Sequence, residues 1–402
     1  MSLYYLKFLN LKNVKTKEEA SGARLLDKEY LETLSLSWQD NSTSLQTEAS
    51  KDVLEGLQPH QDLKTLKITG YGGATSPTWL SNTSSVTLMQ ILHLEKCREW
   101  QILPTPAMLP FLRKLTLIRM LNLMEISVPS LEELILIDMP KLEKCIGSYK
   151  MELTSRLRVL MIKNCPELNE CTLFQSYSSF DAEQKSWFPS LMKLSIGQCS
   201  HILNNWSILP LREMGALKGL ELMDLHVVRV SVPSLQKLVL TKMPSLEFCS
   251  SLTTSPPLLS TPSQGDQEEL TSSLQRLTIH GCPRLIVSHP LPLSSLISQL
   301  SIRGVPALQT MRMNRTFLKI ECNELSVLDD SILSLHILRG IKLLEIANCP
   351  NLISLSSEAF SQLKSLRIEN CPNLSNIYIR GCPRNQYVCK QPCPPISRIS
   401  RD

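Results

Sequence analysis

Cysteine is the residue of this chain with the widest range of possible chemistry, because a thiolate can bind a metal, form a disulfide or act as a nucleophile. Seven of the thirteen cysteines share one context, three residues after an apolar-x-apolar pair: Cys97, Cys165, Cys199, Cys282, Cys349, Cys371 and Cys382. Metal ligands are usually closer in sequence, as in CxxC, whereas whole repeats separate most of these cysteines. They are therefore predicted to be structural, with a buried thiol that serves the backbone of a turn, and a metal cluster is the alternative. The closely spaced Cys389 and Cys393 are interpreted as tail thiols, with a disulfide or metal site as the alternative.

Histidines and paired carboxylates are the other candidates for catalysis. His93 and His280 fall at outward positions of predicted strands with no Ser or Cys nucleophile arranged beside them, and His336 falls in a connection. Asp329 and Asp330 are neighbours in sequence and are interpreted as a turn. The patterns GxxxxGK[ST], HExxH and GxSxG do not occur in the sequence. The sequence therefore predicts no catalytic residue, no metal site and no cofactor in this chain.

The cysteines belong to a repeat, LxxLxLxxC, whose clearest copies continue into Pro-x-Leu. Four copies are nearly identical, at 157–168, 274–285, 341–352 and 363–374. This is the leucine-rich-repeat signature, with Cys in the position that usually holds Asn. Degenerate copies fill most gaps between Leu6 and Ile379, which gives about sixteen strands and about 25 residues per repeat, within the range of this class.

The apolar alternation in each copy predicts a strand with one buried face. The predicted fold is therefore an α/β leucine-rich-repeat solenoid, a horseshoe with a parallel β-sheet on the concave face and irregular loops and short helices on the convex face. The repeat domain is predicted to cover 1–383, with an irregular start at 1–80 and the longest convex insertion at about 250–273. Residues 384–402 are predicted to form a disordered tail. Two helices are expected, one with a capping box at Thr16 and Glu19, and one capped by Ser50 and stopped by Gly56.

Composition limits the possible partners and locations. A net charge of +5 over 402 residues is too mild to indicate binding to nucleic acid or to an anionic membrane. The sequence contains no run of 18 apolar residues, so no membrane span is expected. The start, MSLYYLKFLNL, lacks the small-residue cleavage site of a signal peptide. We expect a cytoplasmic protein, with the nucleus as the alternative.

One group of outward residues differs from the polar residues found in most coils. Its apolar members are Ile118, Ile135, Ile137, Val159 and Met161, and the charged residues around them are Arg113, Lys114, Arg119, Glu132, Glu133 and Asp138. An apolar centre with a charged rim is typical of a protein interface, so this group is the predicted interaction site on the concave face. The alternatives are that β-branched residues simply favour strands or that a loop covers them.

The opening of the chain carries a family resemblance. Residues 6–41 (LKFLNLKNVKTKEEASGARLLDKEYLETLSLSWQDN) and 53–80 (VLEGLQPHQDLKTLKITGYGGATSPTWL) resemble the start of the repeat region in plant intracellular coiled-coil nucleotide-binding leucine-rich-repeat (NLR) disease-resistance proteins. The stretch VPSLEELILIDMPKLEKC and the CPxL coils are similar to that family's later repeats. The resemblance implies a non-catalytic module that recognises a pathogen effector or a modified host protein and restrains a nucleotide-binding switch domain, in cis or in trans. ADP or ATP would bind only in that domain, which this sequence does not contain.

Two other functions are compatible with the sequence. The first is a substrate-receptor subunit of a ubiquitin ligase, which would need a helical adaptor-binding domain upstream. The second is a gene fragment without independent activity. The first strand begins a few residues after Met1 and leaves the end of the core uncapped, and only 11 residues separate Ile368 from Ile379, too few for a full coil.

Overall fold

The computed structural model describes residues 4–38, 47–82, 85–147, 155–174, 188–199, 211, 214–230, 235–249, 273–286, 296–306, 308–330, 338–360, 362–379, 387–390 and 398–399. The chain forms two compact units. Unit 1 comprises Met1–Asn205 and Glu213–Leu217, and unit 2 comprises Trp206–Arg212 and Lys218–Asp402.

Unit 1 is a stack of coils built on a parallel main sheet. Its strands are β1 (Tyr5–Phe8), β2 (Thr33–Ser37), β3 (Thr65–Thr69), β4 (Ile91–Glu95), β5 (Lys114–Ile118), β6 (Glu125–Val128), β7 (Glu133–Ile137), β8 (Lys144–Gly147), β9 (Val159–Lys163), β10 (Glu170–Cys171) and β11 (Lys193–Gly197). The main sheet runs in the order β1-β2-β3-β4-β5-β7-β9-β11. A second parallel sheet contains β6, β8 and β10.

The core of unit 1 is formed by the inward pair of each main-sheet strand. From β2 to β11 these leucines and isoleucines are at most 3% exposed. They are also in register, so that Leu134 lies between Leu160 and Leu115 on the neighbouring strands. Each buried side chain contributes roughly 1.5–3 kcal/mol of hydrophobic stabilisation. In β1 the pair Leu6 and Phe8 is only half-buried.

Two short helices and several 3-10 turns belong to the connections. Helix α1 spans Lys17–Ser21 and helix α2 spans Thr47–Gly56. Thr16 Oγ1 accepts a hydrogen bond from Glu19 N at 3.2 Å, and the Glu19 carboxylate accepts one from Lys15 N at 2.9 Å, so the cap predicted for α1 is present. Helix α2 starts before Ser50, which therefore lies inside the helix and is not its cap. The 3-10 turns are Leu11–Asn13, Leu25–Asp27, Thr78–Leu80, Pro106–Met108 and Thr172–Phe174.

Unit 2 repeats the architecture. Its strands are β12 (Gly219–Met223), β13 (Arg229–Val230), β14 (Lys237–Thr241), β15 (Phe248–Cys249), β16 (Arg276–His280), β17 (Gln299–Val305), β18 (Leu308–Met313), β19 (Phe317–Glu321), β20 (Val327–Leu328), β21 (Leu343–Ala347), β22 (Ser354–Ser357), β23 (Ser365–Glu369), β24 (Asn376–Ile379), β25 (Tyr387–Lys390) and β26 (Arg398–Ile399). The main sheet runs in the order β12-β14-β16-β17-β18-β19-β21-β23-β25. Outside it, β13 pairs with β15, and β20, β22, β24 and β26 form a four-stranded sheet.

Strand β18 departs from the repeat. It pairs antiparallel with both β17 and β19, whereas the other described strand pairs are parallel. Leu308 at its start lies opposite Val305 at the end of β17, and Met311 and Met313 point inward against the pairs of both neighbours. The sequence patterns did not predict this strand.

The C-terminal end corrects two predictions. Ile377 and Ile379 were expected to form the last main-sheet strand, but they lie in β24, which belongs to the four-stranded sheet. The next main-sheet strand is β25, which pairs with β23. The 11 residues from Ile368 to Ile379 are therefore the path from one sheet to the other and not a shortened coil. Strands β25 and β26 also lie within 384–402, so the predicted disordered tail is corrected over these segments.

A left-handed residue ends most main-sheet strands. Positive φ occurs directly after the strand at Gly70, Lys96, Arg119, Asp138, Asn164, Gln198, Asp224, Lys242, Gly281, Asn348 and Asn370. The N–H of such a residue donates to the last carbonyl of the next strand, as from Arg119 to Ile137 at 2.9 Å and from Asp138 to Lys163 at 3.0 Å. The hydrogen-bond ladder therefore continues one residue beyond the strands while the chain turns out of the sheet.

Candidate protein-interaction surface

The apolar patch, which we define as Ile118, Ile135, Ile137, Val159 and Met161, is continuous on the outward face of the unit 1 main sheet. Ile118 lies in register with Ile137, and Ile135 lies in register with Met161. Neighbouring strands are about 4.8 Å apart, so these side chains contact across strands. All five are half-buried.

The edges of the apolar patch are visible in the burial of its neighbours. Ser195 on β11 lies beside Met161 in register and is fully buried, so the open part of the face ends before β11. On the other side, Thr116 on β5 lies beside Ile135 in register and is only 4% exposed. The open apolar surface is therefore confined to β5, β7 and β9.

The six charged residues predicted to surround the apolar patch pair with one another across β5 and β7. The ion pairs are Arg113–Glu132 (Nε to Oε1, 3.2 Å), Lys114–Glu133 and Arg119–Asp138 (Nε to Oδ2, 3.3 Å). Their side chains are 28–54% exposed, so each pair contributes only about 0–1 kcal/mol to stability. The rim of the patch is therefore close to neutral, and it offers little long-range attraction to a charged partner.

The histidines and aspartates that were candidates for catalysis lie in separate parts of the structure. Burial is the main cause that lowers the pKa of His93, whose Nε2 lies 3.6 Å from Glu95 Oε2. His280 does have a serine beside it, contrary to the sequence analysis, because Ser301 Oγ on β17 lies 2.9 Å from its Nε2. Asp330 accepts hydrogen bonds from the Ser357 hydroxyl and from Glu358 N. His336 lies outside the described residues.

The repeat cysteines are buried and bonded to the backbone. In the six described ones the Sγ–H donates to the carbonyl oxygen two residues earlier, at 3.1 to 3.8 Å, and each is 0% exposed; these are Cys97, Cys165, Cys199, Cys282, Cys349 and Cys371. Burial raises the pKa of the Cys97 thiol to about 12. The pKa of Cys165 is raised first by its hydrogen bond with the Cys199 thiol of the next coil and then by burial. Cys382 lies outside the described residues.

A second set of buried cysteines lies in the other sheets and was missed. Cys145 on β8 is in register with Cys171 on β10, and their hydrogen bond, together with burial, raises the pKa of Cys145. Cys249 on β15 is buried in the same way. A leucine precedes each of the three by three residues, and that spacing could have revealed them. Within the part of the chain that the structure describes, no group of cysteine, histidine and carboxylate side chains could hold a metal ion.

Comparison with known proteins adds to this geometry. Residues 3–120 match the family described as R13L1/DRL21 LRRs. Disease resistance protein RGA2 of Solanum bulbocastanum is 28% identical over 224 residues, which cover 49% of this chain and 23% of that protein. Putative disease resistance RPP13-like protein 1 of Arabidopsis thaliana is 26% identical over 220 residues, which cover 48% of this chain and 20% of that protein. These matches confirm the resemblance to plant disease-resistance proteins.

The matched part of the leucine-rich-repeat chain spans less than a quarter of either relative. Among solved structures, the TLR13–ssRNA13 complex aligns with a TM-score of 0.42 and 15% identity, over 91% of this chain and 60% of that one. The coil-by-coil register and the R13L1/DRL21 match together confirm the leucine-rich-repeat fold. No helix among the described residues is long and apolar enough to cross a membrane.

Proposed function

We propose that this chain is the non-catalytic protein-interaction module of a cytoplasmic plant immune receptor, and that the apolar patch is where a partner protein docks. The observation that carries the proposal is the continuity of the patch. Five apolar side chains occupy adjacent register positions on an outward face, inside a rim whose charges pair with each other.

The energetic argument follows from the half-burial of these side chains. A flat sheet leaves part of each isoleucine in water, and burying that remaining surface contributes about 25 cal/mol per Å². The rim charges are paired with each other, so a partner that covers the apolar centre leaves no unpaired charge in these three ion pairs. An apolar centre that a partner desolvates, with a polar rim, is the arrangement in which binding energy concentrates.

The partner follows from the resemblance to plant disease-resistance proteins. It is a pathogen effector, a modified host protein, or the nucleotide-binding domain that such a module restrains. The neutral rim favours a partner surface that is apolar and uncharged over one that is strongly acidic or basic. ADP or ATP would be bound by that nucleotide-binding domain and not by this chain.

The test uses two pairs of lysine substitutions at equivalent positions. I135K/I137K places charge in the apolar patch, and V239K/T241K makes the same change at the matching positions of β14, which are also half-buried. The purified nucleotide-binding domain of a coiled-coil NLR is titrated with each variant by calorimetry. We expect wild type and V239K/T241K to bind alike and I135K/I137K to weaken binding by about 2 kcal/mol or more. Equal binding by both variants would remove the patch as the docking site.

A further inference from the structure

A cluster of arginines lies on the outward face of the unit 2 main sheet, where β18 interrupts the parallel repeat. Arg303 on β17 and Arg312 on β18 are exposed and point outward on neighbouring strands. Ser301 lies in register with Arg312, and His280 lies in register with Arg303. We call these four residues the basic patch. Among the described residues, neither arginine forms an ion pair.

The neighbours of the basic patch neutralise its charge only in part. Arg312 lies directly opposite Lys319 on β19, an arrangement of like charges that destabilises a sheet. Lys319 is itself held by two carboxylates, Glu321 at 3.0 Å and Glu345 at 2.7 Å. Two carboxylates therefore share one lysine, and the charge of Arg303 also reaches Glu321. Neither arginine is in a direct ion pair among the described residues, so their guanidinium groups remain open to a ligand.

The field of both arginines reaches the His280 ring. The pKa of His280 is lowered, first by burial and then by the positive charges of Arg312 and Arg303. The ring is held by Ser301 Oγ at 2.9 Å from Nε2. Two guanidinium groups and the bonded Ser301–His280 pair thus lie close together on this face. Both arginines can donate hydrogen bonds to an anion, and one member of the Ser301–His280 pair keeps a proton that can do the same.

We propose that the basic patch binds the carboxylates of an acidic segment in a partner protein. The planar guanidinium matches a carboxylate through two parallel hydrogen bonds, which favours arginine at such sites. A bound carboxylate would also relieve the repulsion between Arg312 and Lys319. The inference does not depend on the apolar patch, which lies in unit 1 and shares no residue with this site.

The surroundings favour an acidic protein segment over a nucleic acid. Glu321, Glu345 and Glu369 occupy outward positions of the following strands in the same sheet. A continuous phosphate backbone that runs past the two arginines would meet these carboxylates and be repelled. A short acidic segment needs only the two arginines and can end before it reaches the three glutamates. Nucleic-acid binding, in contrast, typically uses an extended basic surface.

The experiment uses a short fluorescent poly-glutamate peptide, a poly-glutamine peptide of equal length and an oligothymidylate of equal length. We expect wild type to bind poly-glutamate, with affinity that falls as salt rises, and not to bind poly-glutamine. R303Q/R312Q should raise the dissociation constant by about tenfold or more, and R303K/R312K should fall between because it keeps the charge but loses the forked geometry. Circular dichroism checks that the variants fold.

Two controls make the result specific. R229Q/R284Q removes the same charge from unit 2 outside the main sheet, and I135S/I137S alters only the apolar patch without adding charge. Both should bind poly-glutamate like wild type. In NMR titrations, poly-glutamate should raise the pKa of His280, because it screens the arginine charges. The proposal is overturned if wild type ignores poly-glutamate, if R303Q/R312Q binds it unchanged, or if oligothymidylate binds as tightly and is lost in the same variant.

Discussion

Leu160 and Met161 are adjacent on β9 and give a matched test of which face of the strand is inside. Leu160 is fully buried and lies in register between Leu134 and Leu194, so L160A leaves a cavity that closes only if two coils shift. We expect L160A to lower the free energy of unfolding of unit 1 by about 3–5 kcal/mol, the upper part of the range for Leu to Ala. Met161 is half-buried on the outward face, so M161A should cost less than about 1 kcal/mol.

The assay is urea unfolding followed by circular dichroism, with hydrogen exchange of the backbone amides of β7, β9 and β11. In a repeat array each coil contacts only its neighbours, so the destabilisation by L160A should be largest at these strands and fade along the stack. Exchange data are needed because a stack of coils can unfold in parts, and a single transition would then average over them. If the two variants lose the same stability, or if M161A loses more, the assignment of the inward pairs is wrong.

Three further predictions concern close contacts and buried thiols. G56A brings a methyl group to 2.5 Å from the Lys17 carbonyl oxygen, so thermal unfolding should show a loss of about 1–3 kcal/mol despite the better helix propensity of alanine. G70A puts a Cβ at φ +73° and against the backbone carbonyl oxygen of Trp38, and should cost about 2 kcal/mol or more. In contrast, K96A at the equivalent turn of the next coil should cost less than about 1 kcal/mol. Burial raises the pKa of Cys97 to about 12, so mass spectrometry should find it unmodified by iodoacetamide at neutral pH in the native protein and modified after unfolding; rapid native modification would contradict its burial.

The repeat pattern could predict the parallel main-sheet strands because the same spacing of leucines in each coil requires the same apolar pair to be buried. It could not predict which sheet a strand joins. Ile377 and Ile379 show the apolar alternation of a strand with one buried face. That alternation does not say which sheet buries the face, and in β24 the four-stranded sheet does so. Strand β18 was missed although Met311 and Met313 alternate with polar residues, because the short interval between two leucine pairs suggested a single connection.

The outward positions of the apolar patch could be predicted from the sequence, but the ion pairs around it and the basic patch could not. The register that brings Ile118 beside Ile137 follows from the repeat, so the apolar patch could be read from the sequence. The same register places Arg119 opposite Asp138, yet whether two long side chains meet or turn towards water depends on their rotamers and on the left-handed turn that carries both. Ser301 beside His280 was missed because the two residues are diagonal neighbours, since the register pairs His280 with Arg303 and Ser301 with Thr278.

Ionic strength separates the two proposed surfaces. The rim of the apolar patch is neutral through its own ion pairs, so binding there depends on burying apolar surface and should change little with added salt. Arg303 and Arg312 have no ion-pair partner among the described residues, so binding to the basic patch should weaken steadily as salt shortens the Debye length from about 10 Å at 0.1 M. A partner whose binding resists salt and is lost in I135K/I137K therefore uses the apolar patch. One whose binding falls with salt and is lost in R303Q/R312Q uses the basic patch, and a partner that shows both behaviours in part binds at each of the two surfaces.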